Sequence, residues 1–266
     1  MSQKLPVLVI IPHGGISIPE ELMGYESLNS FNLFFESDAG AIDIFSLDDY
    51  LCGVIYSNIS RLFVDMDREF TELYPNTEDG VIKTKTLTGA NIFLEGCYPD
   101  EIAISNILKR YYFPFHERVR NTIKDNDIRL ILECHTHTPV RLKYGPGRDE
   151  PNPLVLVSYT ANTKSGLKKT ASFEKASDLA SIMGKIFSGE GDTVAGNFKI
   201  WDNSGGYIMR NYGTRGIDML NISLSRSLFL TDNFFDLDNL TIDSKRLLYI
   251  KELFFEGLKK FFKRAY

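Results

Sequence analysis

The sequence predicts an α/β domain, and three observations carry that prediction. Residues 6–11 (PVLVII) and the start of 128–139 (IRLILECHTHTP) are near-continuous apolar runs, read as strands buried on both faces. Longer segments with apolar residues at helical spacing lie between and beyond them. Both runs also give way at once to histidine. Pro12 is followed by His13-Gly14-Gly15, and Cys134 by His135-Thr136-His137-Thr138-Pro139. Three of the four histidines therefore follow two core strands. The carboxyl edge of an open α/β sheet is where ligands bind.

Neutral imidazole is the commonest metal ligand. Zinc in hydrolytic sites takes three protein ligands from His, Asp, Glu and Cys. His13 and His135 supply two, and an acidic residue must supply the third. The plainer alternative is a set of loop histidines that happen to follow strands. Gly14 and Gly15 allow the backbone beside His13 to approach a ligand closely.

The remaining elements follow in order. Pro19 opens a short helix at 20–23. Residues 32–49 read as a helix whose apolar face carries Leu33, Phe34, Ala41, Ile44, Phe45 and Leu47. It includes Glu36 and Asp38, the nearest carboxylates in sequence that could complete a metal site; a helix cap or a solvated turn is the alternative for each. Residues 53–56 are a short strand. In 60–68 (SRLFVDMDR), Arg61 and Arg68 flank Asp65 and Asp67. They could clamp a substrate carboxylate bidentately, or pair with their own aspartates.

Residues 72–89 read as a long loop with room for a small hairpin, and 100–124 as a helix that Pro114 kinks or breaks. A lone histidine on that helix, His116, suits a buried hydrogen-bonding role. After the turn-rich stretch 145–153 come a strand at 154–159 and a helix at 173–187. A short strand and a polar glycine turn fall within 194–208, a last core strand at 217–224, and an amphipathic helix at 244–266 with a cationic end.

Composition narrows the function. The chain has 266 residues, 43% of them hydrophobic, enough for one large core. A net charge of −5 argues against a nucleic-acid surface. No apolar run has membrane-spanning length, and residues 1–4 show no signal-peptide pattern. Cys52, Cys97 and Cys134 make neither a zinc knuckle nor a disulfide framework. A soluble, cytoplasmic protein acting on a small molecule is expected.

Several motifs, in order, resemble the N-formylglutamate amidohydrolase family: PHGG at 12–15, SDAGA at 37–41, SRLFVDMDR at 60–68, YYFPFH at 111–116, ECHTH at 133–137, AGNFKIWDNSGGYI at 195–208 and NISLSRSLFL at 221–230. That family is similar in turn to the zinc carboxypeptidases. The resemblance implies a single three-layer αβα domain, with a mixed, mostly parallel sheet and one zinc. His13, Asp38 and His135 then become metal ligands. Arg61 and Arg68 match the arginines that polarise the scissile carbonyl or hold the substrate carboxylate. Asn197, Gly205 and Tyr207 match a substrate-side loop. The implied reaction is hydrolysis of an amide bond in a small N-acyl or N-formyl amino acid, or a peptide-like substrate.

This chain departs from the family pattern at three places. Ser223 stands where the family carries the glutamate expected to be the general base. Asp67 stands for an asparagine, and Glu133 and Thr136 replace Asp and Ser around the central histidine. A serine has no carboxylate to take a proton, so Glu133, two residues before His135, is the first candidate to act as base, and Glu36 another. A binding protein that keeps the ligands but has lost hydrolysis is the alternative.

Overall fold

In the computed structural model, residues 4–141, 150–191, 195–201, 206–213 and 215–266 are described. They form three layers around a six-stranded sheet. Its strands are β1 (Leu5–Ile11), β2 (Leu51–Tyr56), β3 (Leu130–His137), β4 (Val155–Ser158), β5 (Phe198–Ile200) and β6 (Asp218–Ser225). The spatial order is β2-β1-β3-β6-β4-β5. The first four strands are mutually parallel; β4 runs antiparallel to β6, and β5 parallel to β4. The sheet is thus mixed and mostly parallel.

The strand alternation divides the core. Val7, Val9 and Ile11 of β1, with Leu130, Leu132 and Cys134 of β3, face one apolar layer. That layer is built from α2 (Ala41–Phe45), α5 (Phe173–Ile186) and α7 (Ser244–Ala265). Leu8, Ile10, Ile131 and Met219 face the other. There α3 (Glu101–Ile107) runs through a π-helical stretch, Leu108–Tyr112, into α4 (Phe113–Asp125). Pro114 sits at the start of α4, where its missing N–H costs least, so it follows the irregularity instead of kinking a regular helix. Asp100 caps α3 by accepting from Ala103 N–H at 2.8 Å.

Two expectations change here. The strand expected to stop at Cys134 continues through His137. It stays paired with β6 residue for residue, with Ser223 opposite His135 and Ser225 opposite His137. The backbone hydrogen bonds of that pairing hold His135 and His137 inside the strand. Glu133, His135 and His137 consequently share one face.

The helix expected over 32–49 is also broken. α1 (Ser30–Glu36) ends before the motif and α2 begins at Ala41. Ser37 Oγ donates to Phe34 carbonyl oxygen at 2.8 Å, and Asp38 N–H donates to His13 carbonyl oxygen at 2.9 Å. The break therefore fastens Asp38 to the turn after β1. Smaller elements not foreseen include a hairpin of Thr160–Thr163 with Gly166–Lys169, the short helix α6 (Tyr207–Tyr212), and a 3-10 turn at Arg226–Leu228. The expected loop at 72–89 contains no regular helix or strand.

Candidate metal centre and substrate cavity

The turn after β1, the break between α1 and α2, and the end of β3 bring three ligand-type side chains together. One ligand atom each from His13, Asp38 and His135 lies within 4.8 Å of the others. The two imidazole rings are 5.1 Å apart at their centroids, tilted by 51°. His135 Nδ1 lies 2.7 Å from Asp38 Oδ2, and His13 Nδ1 3.9 Å from the same oxygen.

The other nitrogen of each ring is backed by a carboxyl group. His13 Nε2 is 2.7 Å from Asp65 Oδ1, an atom that only accepts when ionised, so Nε2 carries the proton. His13 Nδ1 is then a bare lone pair, buried and without a hydrogen-bond partner. Burial and Arg61 hold the His13 pKa below 6.5, in spite of Asp65. A neutral ring with an unpartnered Nδ1 aimed at a carboxylate and a second imidazole is the donor set that a divalent cation requires.

Asp65 is itself fully buried and heavily supported. It accepts from Asp67 N–H at 2.9 Å, and its Oδ2 lies 3.0 Å from Lys83 Nζ and 3.5 Å from Arg61. Burial opposes its charge, but Lys83, His13 and Arg61 hold its carboxyl well below the usual range. Asp38 is held similarly. Burial opposes it, while His135, His13 and Arg61 pull it down to about 2. Arg226, buried on the 3-10 turn after β6, fixes the same loop. It donates to Phe35 carbonyl oxygen at 3.1 Å and to that of Ser37, and lies 3.7 Å from Asp38 Oδ1.

These three side chains open into a cavity of about 380 Å³, a size that suits a small-molecule site. Arg61, Asp67, Arg68, Trp201, Asn221 and Ser223 also line it. Arg68 reaches its wall but is engaged: Nε donates to the Asp79 carbonyl oxygen at 3.0 Å, and a second nitrogen lies 2.5 Å from Asp79 Oδ2. Its partner is therefore Asp79, not Asp67. Among the described residues, the ion pair of Arg61 is the longer contact with Asp65.

Ser223 lies on the cavity wall beside His135 and is tied to His137. His137 Nε2 sits 2.9 Å from Pro153 carbonyl oxygen, which can only accept, so the proton is on Nε2. Nδ1, 2.8 Å away, accepts from the Ser223 hydroxyl. Burial lowers the His137 pKa to about 4, consistent with a neutral ring. Ser223 thus spends its hydrogen on His137 and presents lone pairs elsewhere.

Other expected residues are placed differently. Glu133 shares a side with His135 but is fully buried and absent from the cavity wall. Its Oε1 lies 3.3 Å from His135 Nε2, so it backs the ring and cannot meet substrate. Glu36 accepts from Leu87 N–H at 3.0 Å and faces a neighbouring cavity. Asn197 precedes β5, whereas Trp201, at the other end of that strand, lines the cavity. Four strand steps of about 3.3 Å separate them. The Asn197 amide turns to Ser188 Oγ at 3.3 Å.

Tyr207 packs its ring against His116 and Tyr112, and only its N–H meets Asp67, at the carbonyl oxygen, 3.0 Å away. Gly205 lies outside the described residues. Gly15 packs against the backbone of Asn58, which a Cβ would meet at 2.1 Å; its need for glycine comes from that contact, not from a ligand.

Sequence reasoning named Asp67 as a possible arginine partner and as a departure from the family asparagine, but gave it no catalytic role. Asp67 is the one carboxyl on the described cavity wall besides Asp38. Its Oδ1 accepts from Ile208 N–H at 2.7 Å, and a Cβ at Gly206 would collide with Oδ2 at 1.5 Å. Burial first, then Glu133 and Asp65, push its pKa well above the ordinary value. Its spacing from Asp65 was visible in the sequence, but not that one aspartate backs His13 while the other faces the cavity.

The sequence profile of the N-formylglutamate amidohydrolase family matches residues 5–230. The fold is shared with a crystal structure of N-formylglutamate amidohydrolase from Ralstonia eutropha. The TM-score is 0.74 at 13% identity, over 100% of this chain and 96% of that one. A gene product of Agrobacterium tumefaciens matches with a TM-score of 0.61 and 17% identity, over 96% and 91% of the two chains. No curated protein matches the sequence.

Proposed function

Because the chain belongs to the N-formylglutamate amidohydrolase family, we propose that it is a metal-dependent hydrolase of an amide bond in a small N-acyl or N-formyl amino acid or peptide-like substrate. The observation that carries the reading is the convergence of His13, Asp38 and His135 on one cavity, with the His13 Nδ1 lone pair unpartnered. His13 Nδ1, an Asp38 oxygen and His135 Nδ1 would hold one divalent cation, zinc by its His/His/Asp preference. Such an ion supplies Lewis acidity and a lowered water pKa.

The chain's own residues supply the rest. Asp65 fixes the His13 tautomer, and Glu133 backs His135. Arg61 is the guanidinium with donors to spare for the scissile carbonyl or a substrate carboxylate. Arg68, bound to Asp79, lines the entry with positive charge. Asp67 takes the place of the missing general base: its raised pKa suits a carboxyl that accepts a proton from the attacking water and returns it to the leaving amine. Ser223, locked as an acceptor, receives a hydrogen bond from the substrate N–H or the water. Three free thiols support a reducing compartment such as the cytoplasm. Among the described residues, no helix is long and apolar enough to cross a membrane.

The test is a screen of zinc-loaded protein over N-formyl and N-acyl amino acids, with Asp67→Asn alongside. The expected result is hydrolysis in the wild type and a rate about 10²–10⁴-fold lower in the variant. The second reading, a binding protein, draws on Ser223 standing in the expected base position. It would be favoured by tight binding of N-acyl amino acids with no turnover, and with Asp67→Asn changing nothing.

A further inference from the structure

A second cavity, of about 430 Å³, lies across Arg61 from the ligand cluster. Arg61 lines both, and Glu36 of the second stands two residues from Asp38 of the first. Their walls differ in kind. Among the described residues the first has no aliphatic side chain, and Trp201 is its one large apolar surface. The second is bounded by Leu62, Leu87 and the threonines of the Thr86–Gly89 turn.

The polar groups of the second wall are occupied with one another. Lys83 pairs with Asp65 at 3.0 Å and also with Asp79, and Lys85 pairs with Glu78 at 3.0 Å. Glu36 accepts from Leu87 N–H. The Thr86 and Thr88 hydroxyls bond each other at 3.0 Å, and Thr86 Oγ1 also accepts from Ala90 N–H. Apart from Arg61, which the first cavity shares, and Glu36, whose carboxyl is bound to a backbone N–H, each charged side chain described on this wall has an oppositely charged partner. Leu87, meanwhile, is 64% exposed on this wall, with Leu62 beside it.

We infer that this second cavity is a subsite for an uncharged, aliphatic acyl group, so that the substrate spans Arg61. The inference rests on the reading of the first cavity as the hydrolytic site. With Arg61 beside the scissile carbonyl, the group on the acyl side of that carbonyl is the one that passes Arg61. The substrate class narrows to amino acids carrying an acyl chain longer than formyl, because a formyl group has no carbon to place there.

The experiment uses two ligand series. One is N-formyl-, N-acetyl-, N-butyryl- and N-hexanoyl-glycine. The other keeps the formyl group and lengthens the amino-acid side chain. Binding to metal-free protein is measured by calorimetry, and kcat/KM with zinc added. Affinity is expected to rise about two- to fourfold per methylene in the acyl series, as burial of CH₂ requires, and to stay flat in the other. Leu87→Asp should flatten the acyl series. Leu248→Asp, at a leucine 55% exposed on α7, should leave its slope unchanged.

A flat acyl series in the wild type overturns the subsite. So does a slope that survives Leu87→Asp, or one that appears in the side-chain series instead. Binding that rises with acyl length while no ligand is hydrolysed supports the subsite and counts against the amidohydrolase reading. Hydrolysis of N-formyl substrates with no length dependence does the reverse.

Discussion

Two carboxyl groups back the two histidines, and they are held in opposite ways. Asp65, behind His13, contacts Lys83, Arg61, the His13 ring and the Asp67 N–H. Glu133, behind His135, is equally buried, yet neither of its oxygens has a hydrogen bond; among the described residues its one ion-pair contact is His135 Nε2 at 3.3 Å. Where fixed cations surround the carboxylate, the imidazole beside it stays neutral. Where they are lacking, the imidazole itself takes up charge: burial resists, but Asp38 and Glu133 raise the His135 pKa to about 10. The His13 side is thus a preformed support. The His135 side balances its charge with a proton that a metal ion would displace.

The largest expected effect falls on the supported side. Asp65→Asn leaves buried Lys83 with Asp79 alone, takes the counter-charge from Arg61 and loosens His13. Breaking a buried ion network from one side costs about 3–5 kcal/mol, measurable by urea denaturation. A loss below about 1 kcal/mol would mean that Asp65 is not the hub described here.

Glu133→Gln should behave differently. It removes a carboxyl that has no aligned partner, so the metal-free fold should keep its stability within about 1 kcal/mol. Metal affinity should nevertheless fall by about 10–100-fold, as for other groups that orient a ligating histidine. Equal stability losses in Asp65→Asn and Glu133→Gln would erase the contrast between the two sides.

The smallest effect is a pH slope. His135 has a folded-state pKa raised from 6.5 to about 10. Its contribution to the metal-free fold is therefore complete below pH 6.5 and is lost as pH rises towards 10. The slope can reach at most about 1.4 kcal/mol per pH unit for one proton. Zinc should abolish it, because the ligand must already be deprotonated. Denaturation curves from pH 6 to 10, with and without zinc, sharpen the comparison; a metal-free stability that rises across this range would contradict the charge assigned to His135.

The elements legible in the sequence were those with a strong period. The apolar runs gave β1 and β3, and the amphipathic stripes gave α3–α4, α5 and α7 within a few residues of their ends. The clustering of His13, Asp38 and His135 was likewise visible, because two histidines follow core strands and the family resemblance supplied Asp38. What stayed hidden depends on partners distant in sequence. The helix expected over 32–49 breaks because Asp38 N–H meets His13 carbonyl oxygen, a contact no local pattern encodes. β3 runs past Cys134 because β6 pairs with it. Asp65 and Asp67 look alike in the chain, yet one meets Lys83 and the other meets Ile208 N–H. Asn197 and Trp201 lie at opposite ends of one short strand, and the resemblance pointed to the end away from the cavity.

The most direct test of the metal centre is a calorimetric titration of dialysed protein with zinc at pH 7, in buffers of different ionisation enthalpy, for wild type and His13→Ala. Circular dichroism confirms that the variant is folded. The structure predicts one equivalent of zinc per chain, release of about one proton from His135, and a large loss of affinity in His13→Ala. No binding in the wild type, or binding that His13→Ala leaves intact, would contradict it.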